Sequence, residues 1–187
     1  EHFRDTMGMY VRHEEADAYY LAAFGDWQDY TLIIRDGDTW GCKHVAWMLE
    51  DESDFEDFEE RIEDAGYDTE WVDDGAEPGQ GRALRFDYPG ATPEYMELVY
   101  DVDRAFDTVA DENKPRLKNQ PARKPERGAG FRRIDHVNFN VSNVPECVDF
   151  FEHVLGFELR EEGLDPDGNQ VGAWMSVSPL VHEVAFI

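Results

Sequence analysis

Residues 135–159, DHVNFNVSNVPECVDFFEHVLGFEL, run through two hydrophobic periods in succession. Across 133–141 the side chains alternate: His136, Asn138 and Asn140 fall on one side, Val137, Phe139 and Val141 on the other. That is the period of a strand. From Val144 the spacing changes to a helical one, with Val144, Val148, Phe151 and Leu155 on one stripe, Pro145 in the first turn and Gly156 as the stop. Strand-like runs follow at 158–162, 171–177 and 182–187, with Asp165, Pro166, Asp167 and Gly168 supplying a turn between the first two. The order is βαβββ.

Upstream the order repeats. Residues 43–49, KHVAWML, alternate as a strand, with His44, Ala46 and Met48 on one face and Val45, Trp47 and Leu49 on the other. Ser53 and Glu56 have the spacing of a capping box, Phe55, Phe58, Ile62 and Ala65 form a helical stripe, and Gly66 ends it. Strands are expected at 68–72, 82–88 and 95–101. A third copy opens the chain, where HFRDTMGMYVRHEE (2–15) parallels FFEHVLGFELREE (150–162) and Gly8 aligns with Gly156. A repeat of this length decides the fold before any motif is read. It predicts an α+β protein of repeated βαβββ modules paired into open barrels: part of module one, then modules two and three. Pairing requires a fourth module beyond Ile187, in a protein of about 300 residues cut at both ends here. The expected division is an N-terminal domain over 1–112, a linker over 113–131, and the first module of a C-terminal domain over 132–187.

The charge fits this division. The chain of 187 residues carries a formal −26, yet residues 114–133 (KPRLKNQPARKPERGAGFRR) hold eight bases and one acid, so the remainder carries −33. The basic stretch, with Pro115, Pro121 and Pro125 and no regular period, reads as a linker. A strongly acidic protein repels phosphate backbones and anionic lipid, so no nucleic-acid or membrane partner is expected. No apolar run approaches the roughly 18 residues that span a bilayer. Two cysteines, Cys42 and Cys147, make neither a disulfide framework nor a zinc site. The opening EHFRDTMGM has no basic n-region or apolar h-region, so no signal peptide is expected and a reducing, cytoplasmic setting is. Of the seventeen bases only four are lysines. Acid excess with scarce lysine points to a halophilic source, because a Debye length of about 3 Å at 1 M salt screens the self-repulsion.

Three segments, 135–159, NQVGAWMSVSPLVHEVAFI (169–187) and the weaker GRALRFDYPGATPEYMELVYD (81–101), resemble the type I extradiol ring-cleavage dioxygenases. These are the catechol 2,3-dioxygenase and homoprotocatechuate 2,3-dioxygenase group of the vicinal oxygen chelate superfamily. The resemblance implies a metal-binding, non-haem Fe(II) oxidoreductase of aromatic catabolism, with Mn(II) as a possible substitute. It would cleave a catechol with O2 beside its two hydroxyls, giving a muconic semialdehyde, and would work as a homo-oligomer. Two histidines and a carboxylate leave adjacent positions open on such a metal. By resemblance His136 is the first metal ligand, His182 the acid–base residue, and Asn138 and Trp174 line the substrate pocket. The second histidine and the glutamate ligand would lie in module four. His44 and Glu97 occupy the corresponding positions of module two and are read as relics of module duplication. His153 is expected in solvent, and His2 and His13 belong to no pattern. Two other readings use the same scaffold: a glyoxalase-like isomerase or lyase with a Lewis-acid metal, and a non-catalytic binder of the bleomycin-resistance type. Fold alone does not separate them.

Overall fold

The computed structural model describes residues 1–105, 114–117, 120, 123–124 and 126–187. Lys118, Pro121 and Pro125 of the expected linker lie outside the described residues. The chain divides into two compact units, Glu1–Thr39 with Val102–Ile134, and Trp40–Asp101 with Asp135–Ile187. The first holds one sheet and the second two, and among the described residues none of them closes into a barrel.

In the first unit a π-helical turn, His2–Thr6, precedes strands β1 (Tyr10–Glu14), β2 (Ala18–Ala22) and β3 (Leu32–Arg35), which form an antiparallel sheet in that order. This is the helix end and strands of the expected partial module one. Gly8 (φ +84°) follows the turn as Gly156 (φ +77°) follows the helix of module three, the shared need being a left-handed residue where a helix stops. Met9, Leu21 and Ala23 form a small core with Met7, Leu32, Ile34 and Phe131. Part of the expected linker is bound here, since Ala129 N donates to Thr6 O (2.7 Å) and Phe131 N to Met7 O (3.1 Å). His13 is not isolated. Its Nε2 meets Asp29 Oδ2, while Arg12 donates to Asp29 Oδ1 from Nε and Nη2. Burial raises the Asp29 pKa, but the bonds from His13 and Arg12 outweigh it and leave the carboxyl below its ordinary value.

The second unit contains modules two and three, each a complete βαβββ repeat. Module two comprises β4 (His44–Met48), α1 (Asp54–Asp64), β5 (Thr69–Val72), β6 (Ala83–Phe86) and β7 (Tyr95–Val99). Module three comprises β8 (Val137–Phe139), α2 (Val144–His153), β9 (Glu158–Leu164), β10 (Gln170–Ser176) and β11 (Val184–Phe186). Their sheets run β4-β7-β6-β5 and β8-β11-β10-β9, so in both the first strand lies parallel to the fourth. Helix α2 buries its predicted stripe of Val144, Val148 and Phe151, with Leu155 buried just after it, whereas α1 buries only Phe55 and Ile62 of its stripe, Phe58 being half-buried and Ala65 exposed. Fully burying one such side chain contributes about 1.5–3 kcal/mol. Both modules share one core, in which Trp47 meets Phe157 (5.1 Å between centroids) and Tyr67 meets Phe150 (4.9 Å). The two cysteines are free, and burial among apolar neighbours pushes the Cys147 thiol up to about 11.

The capping box is elsewhere than expected. Ser53 already has helical dihedrals (φ −66°, ψ −17°), so its hydroxyl does not cap; it donates to Asp51 Oδ1 at 2.8 Å. The side-chain cap belongs to α2. Asn143 is extended (φ −143°, ψ 91°), its Oδ1 accepts from Glu146 N (3.3 Å), and its Nδ2 donates to Glu146 Oε2 (2.9 Å). Helix α2 is thereby fixed directly after β8, the strand that carries the candidate site.

Candidate metal and substrate face of module three

Helix α2 covers one face of the module-three sheet, where Phe139, Met175, Val184 and Phe186 are buried. The other face holds the residues singled out from sequence. His136 immediately precedes β8, exposed, and its Nδ1 lies 3.1 Å from Asp135 Oδ2. A carboxylate on Nδ1 fixes the tautomer that leaves Nε2 as an electron-pair donor, the arrangement usual for metal-ligating histidines. His182 stands beside it: the two imidazoles meet edge to face with centroids 4.4 Å apart. This pairing links residues separated by nearly the whole module and follows from the parallel register, in which Val137 is opposite Val184 and Val137 N donates to Glu183 O (3.0 Å).

One expectation is corrected. The strand expected over 182–187 starts only at Val184, and His182 lies in the loop before it, half-buried. The reason is local. Glu183 keeps its backbone bonds to both neighbouring strands while its carboxylate accepts from Val177 N (2.9 Å) and Ser178 Oγ (3.0 Å), so the loop closes on itself just before the strand and His182 meets His136.

Asn138 and Trp174 are in one row with Ala185 between them, on strands β8, β11 and β10. They stand two strand spacings apart, about 10 Å, Asn138 exposed and Trp174 half-buried. The indole lies over a glycine pair. A Cβ on Gly172 would come within 3.3 Å of Trp174 Cη2, and one on Gly163, its cross-strand partner, within 3.8 Å of Cζ3. Both glycines were passed over in the sequence; glycine inside a strand is the signal of such close approach.

Module two carries a different chemistry at the same positions. His44 opens β4 and stacks on Tyr95 (5.4 Å, 7° between planes). Glu97 is fully buried, taking hydrogen bonds from Gln80 Nε2 (3.0 Å) and Arg85 Nε (2.8 Å). Burial opposes the charge on Arg85, but the bond to Glu97 and the nearby Tyr95 and carboxylates hold its pKa above the ordinary value. Glu97 is thus committed to a guanidinium. His153 is exposed at the end of α2, its Nδ1 3.1 Å from Asp149 O. Among the described residues no group of three or more His, Cys, Asp or Glu side chains is placed to hold a metal ion. The donors present therefore fit one ligand, His136, without completing a set.

Residues 42–100 match the family model of the catechol 2,3-dioxygenase-like N-terminal domain, and residues 133–187 that of the glyoxalase/bleomycin resistance protein/dioxygenase superfamily. Two modules of this superfamily's fold, one with a histidine pair on its open face, define the class. A manganese-dependent 2,3-dihydroxybiphenyl 1,2-dioxygenase of Geobacillus genomosp. 3 is 37% identical over 182 residues, covering 97% of this chain and 56% of the relative. A metapyrocatechase of Geobacillus stearothermophilus is 34% identical over 185 residues, covering 99% and 54%. The crystal structure of the 2,3-dioxygenase LapB from Pseudomonas sp. KL28 superposes with a TM-score of 0.87 at 25% identity, covering all of this chain and 63% of that one. These matches support assignment of the chain to the type I extradiol dioxygenases. It spans about half the length of the curated relatives it matches. No helix among the described residues is long and apolar enough to cross a membrane.

Proposed function

We propose that this chain is the larger part of an extradiol dioxygenase that opens a catechol-type ring with O2, beside the two hydroxyls, to a muconic semialdehyde. The observation that carries the reading is the His136–His182 ring contact on the open face of module three, with Asp135 on the far nitrogen of His136. His136 would hold a non-haem Fe(II) or Mn(II). When bound, the metal supplies a Lewis acid that gathers catechol and O2 in adjacent positions. The remaining ligands would come from a fourth module, which with module three would make the catalytic domain; modules one and two would make the domain over 1–112, joined by the linker over 113–131.

The chain's own residues do the rest. His182, half-buried and beside the proposed ligand, takes a proton from a catechol hydroxyl and returns it later at the cleaved ring. Trp174 presents an aromatic wall to a flat substrate, and Asn138, across Ala185, supplies a hydrogen-bonding edge. The acidic composition and free cysteines favour a reducing cytoplasm of high salt, and the protein is taken to act as a homo-oligomer without nucleic-acid or membrane partners.

The test is oxygen uptake. The complete protein, loaded anaerobically with Fe(II) or Mn(II) in high salt and mixed with a panel of catechols, is expected to consume O2 and form a yellow product. His182→Phe is expected to lower kcat by roughly 10²–10⁴-fold, the range of general acid–base catalysis, with metal content unchanged. No uptake and no colour across the panel overturns the function; loss of metal in His182→Phe overturns the role given to that residue.

A further inference from the structure

We propose that Ser176 and Arg160 are positioning residues for His182, acting through the loop over 177–183; the inference rests on the reading of His182 as the proton-transfer group. The loop is not held by packing, for its apolar side chains face outward, Val181 being 73% exposed and Val177 55%. Hydrogen bonds hold it instead. Ser176 closes β10 with no exposed surface, and its Oγ lies 3.0 Å from the carbonyl oxygen of Ser178 and 3.1 Å from that of Leu180. The single hydroxyl proton is therefore shared between two loop carbonyls. The same oxygen accepts from Arg160 Nε (3.0 Å), while Arg160 Nη2 donates to Ser178 O (3.2 Å). Arg160 is itself fixed by an ion pair from Nη1 to Glu158 Oε2 at 2.6 Å.

From the other end, the Glu183 carboxylate binds Val177 N and Ser178 Oγ, and Leu180 N donates to Ser178 Oγ (3.3 Å). The guanidinium fork and the buried hydroxyl thus hold Ser178 and Leu180, Glu183 ties its own end of the loop back to Val177 and Ser178, and His182 is the residue between this clamp and the ladder bond Glu183 N to Met175 O (2.9 Å). Proton transfer needs the imidazole within hydrogen-bond reach of the substrate, and a displacement of about 1 Å costs on the order of a hundredfold in rate. A loop whose apolar side chains are exposed depends on these bonds for that position.

The experiment uses the chain as it stands, with its histidines labelled with 15N. Long-range proton–nitrogen spectra of the imidazoles and amide exchange of Val177 and Leu180 are compared in the parent, Ser176→Ala, Arg160→Gln and Ser176→Thr. Ser176→Ala and Arg160→Gln are expected to move the His182 and His136 ring signals towards those of free imidazole. Exchange at the two amides should rise about tenfold or more, with amides of α2 unchanged. Ser176→Thr, which keeps the hydroxyl, is expected to restore the parent spectrum. Unaltered ring signals and exchange in either folded variant overturn the proposal; should Ser176→Ala fail to fold, Arg160→Gln decides it. In the complete metal-loaded protein Arg160→Gln should lower kcat about tenfold with KM and metal content held. A parent protein that cleaves no catechol removes the functional reading, while the ring spectra still decide the positioning.

Discussion

Modules two and three have the same strand order and the same parallel register, yet their open faces differ at the central row. In module two the row reads Ala46, Glu97, Arg85, Glu70; in module three it reads Asn138, Ala185, Trp174, Glu161. Where module two places a buried carboxylate, module three has a methyl group; where module two places the neutralising guanidinium, module three has an indole laid over glycine. Module two thus closes its face with an internal ion pair. Module three keeps Asn138, Ala185 and Trp174 uncharged, with Glu161 only at the outer end of the row, and its histidine meets a second histidine where His44 meets a tyrosine. The two backbones follow the same order, and a few row positions separate the face closed by an ion pair from the one proposed to react.

The largest effect expected from breaking this contrast is in module two. Arg85→Met leaves Glu97 buried without its cation, and the loss of one partner of such a pair costs about 3–5 kcal/mol. Urea unfolding of the second unit checks it, and Glu97→Gln in the same chain should recover part of the loss. An unchanged midpoint would mean that Glu97 is not held by Arg85. A smaller effect is expected in module three. Gly172→Val puts a side chain against the Trp174 indole, and overpacking of this kind costs about 1–3 kcal/mol. The matching position of module two, Ala83, already carries a methyl group and is fully buried, because the side chain two residues on is a flexible arginine in place of a flat ring. A Gly172→Val chain as stable as the parent would contradict the close approach.

Much of this was legible before any coordinates. The two-residue and 3.6-residue periods located both helices and the four strands of each complete module, and Gly66 and Gly156 marked where the helices end. His136 and His182 could be singled out because each sits beside a strand start with a distinctive local sequence. What escaped was set by register across strands. Arg85 reaches Glu97 and Arg160 reaches Ser176 only because antiparallel pairing brings positions twelve and sixteen residues apart together. The bend at His182 depends on Glu183 reaching back to Val177, which a strand-period reading does not see. The capping box was misplaced for a different reason: Ser53–Glu56 and Asn143–Glu146 have the same spacing, and the backbone dihedral at the first residue decides which one caps.

The central claim is that module three, and not its copy, carries the reactive face. Metal content of the complete protein, measured together with O2 uptake in His136→Ala and His44→Ala, tests this most directly. His136→Ala should retain neither Fe(II) nor Mn(II) and take up no O2 with catechol, while His44→Ala keeps the metal and the activity of the parent. Metal and turnover that survive in His136→Ala, or vanish in His44→Ala, would contradict the account.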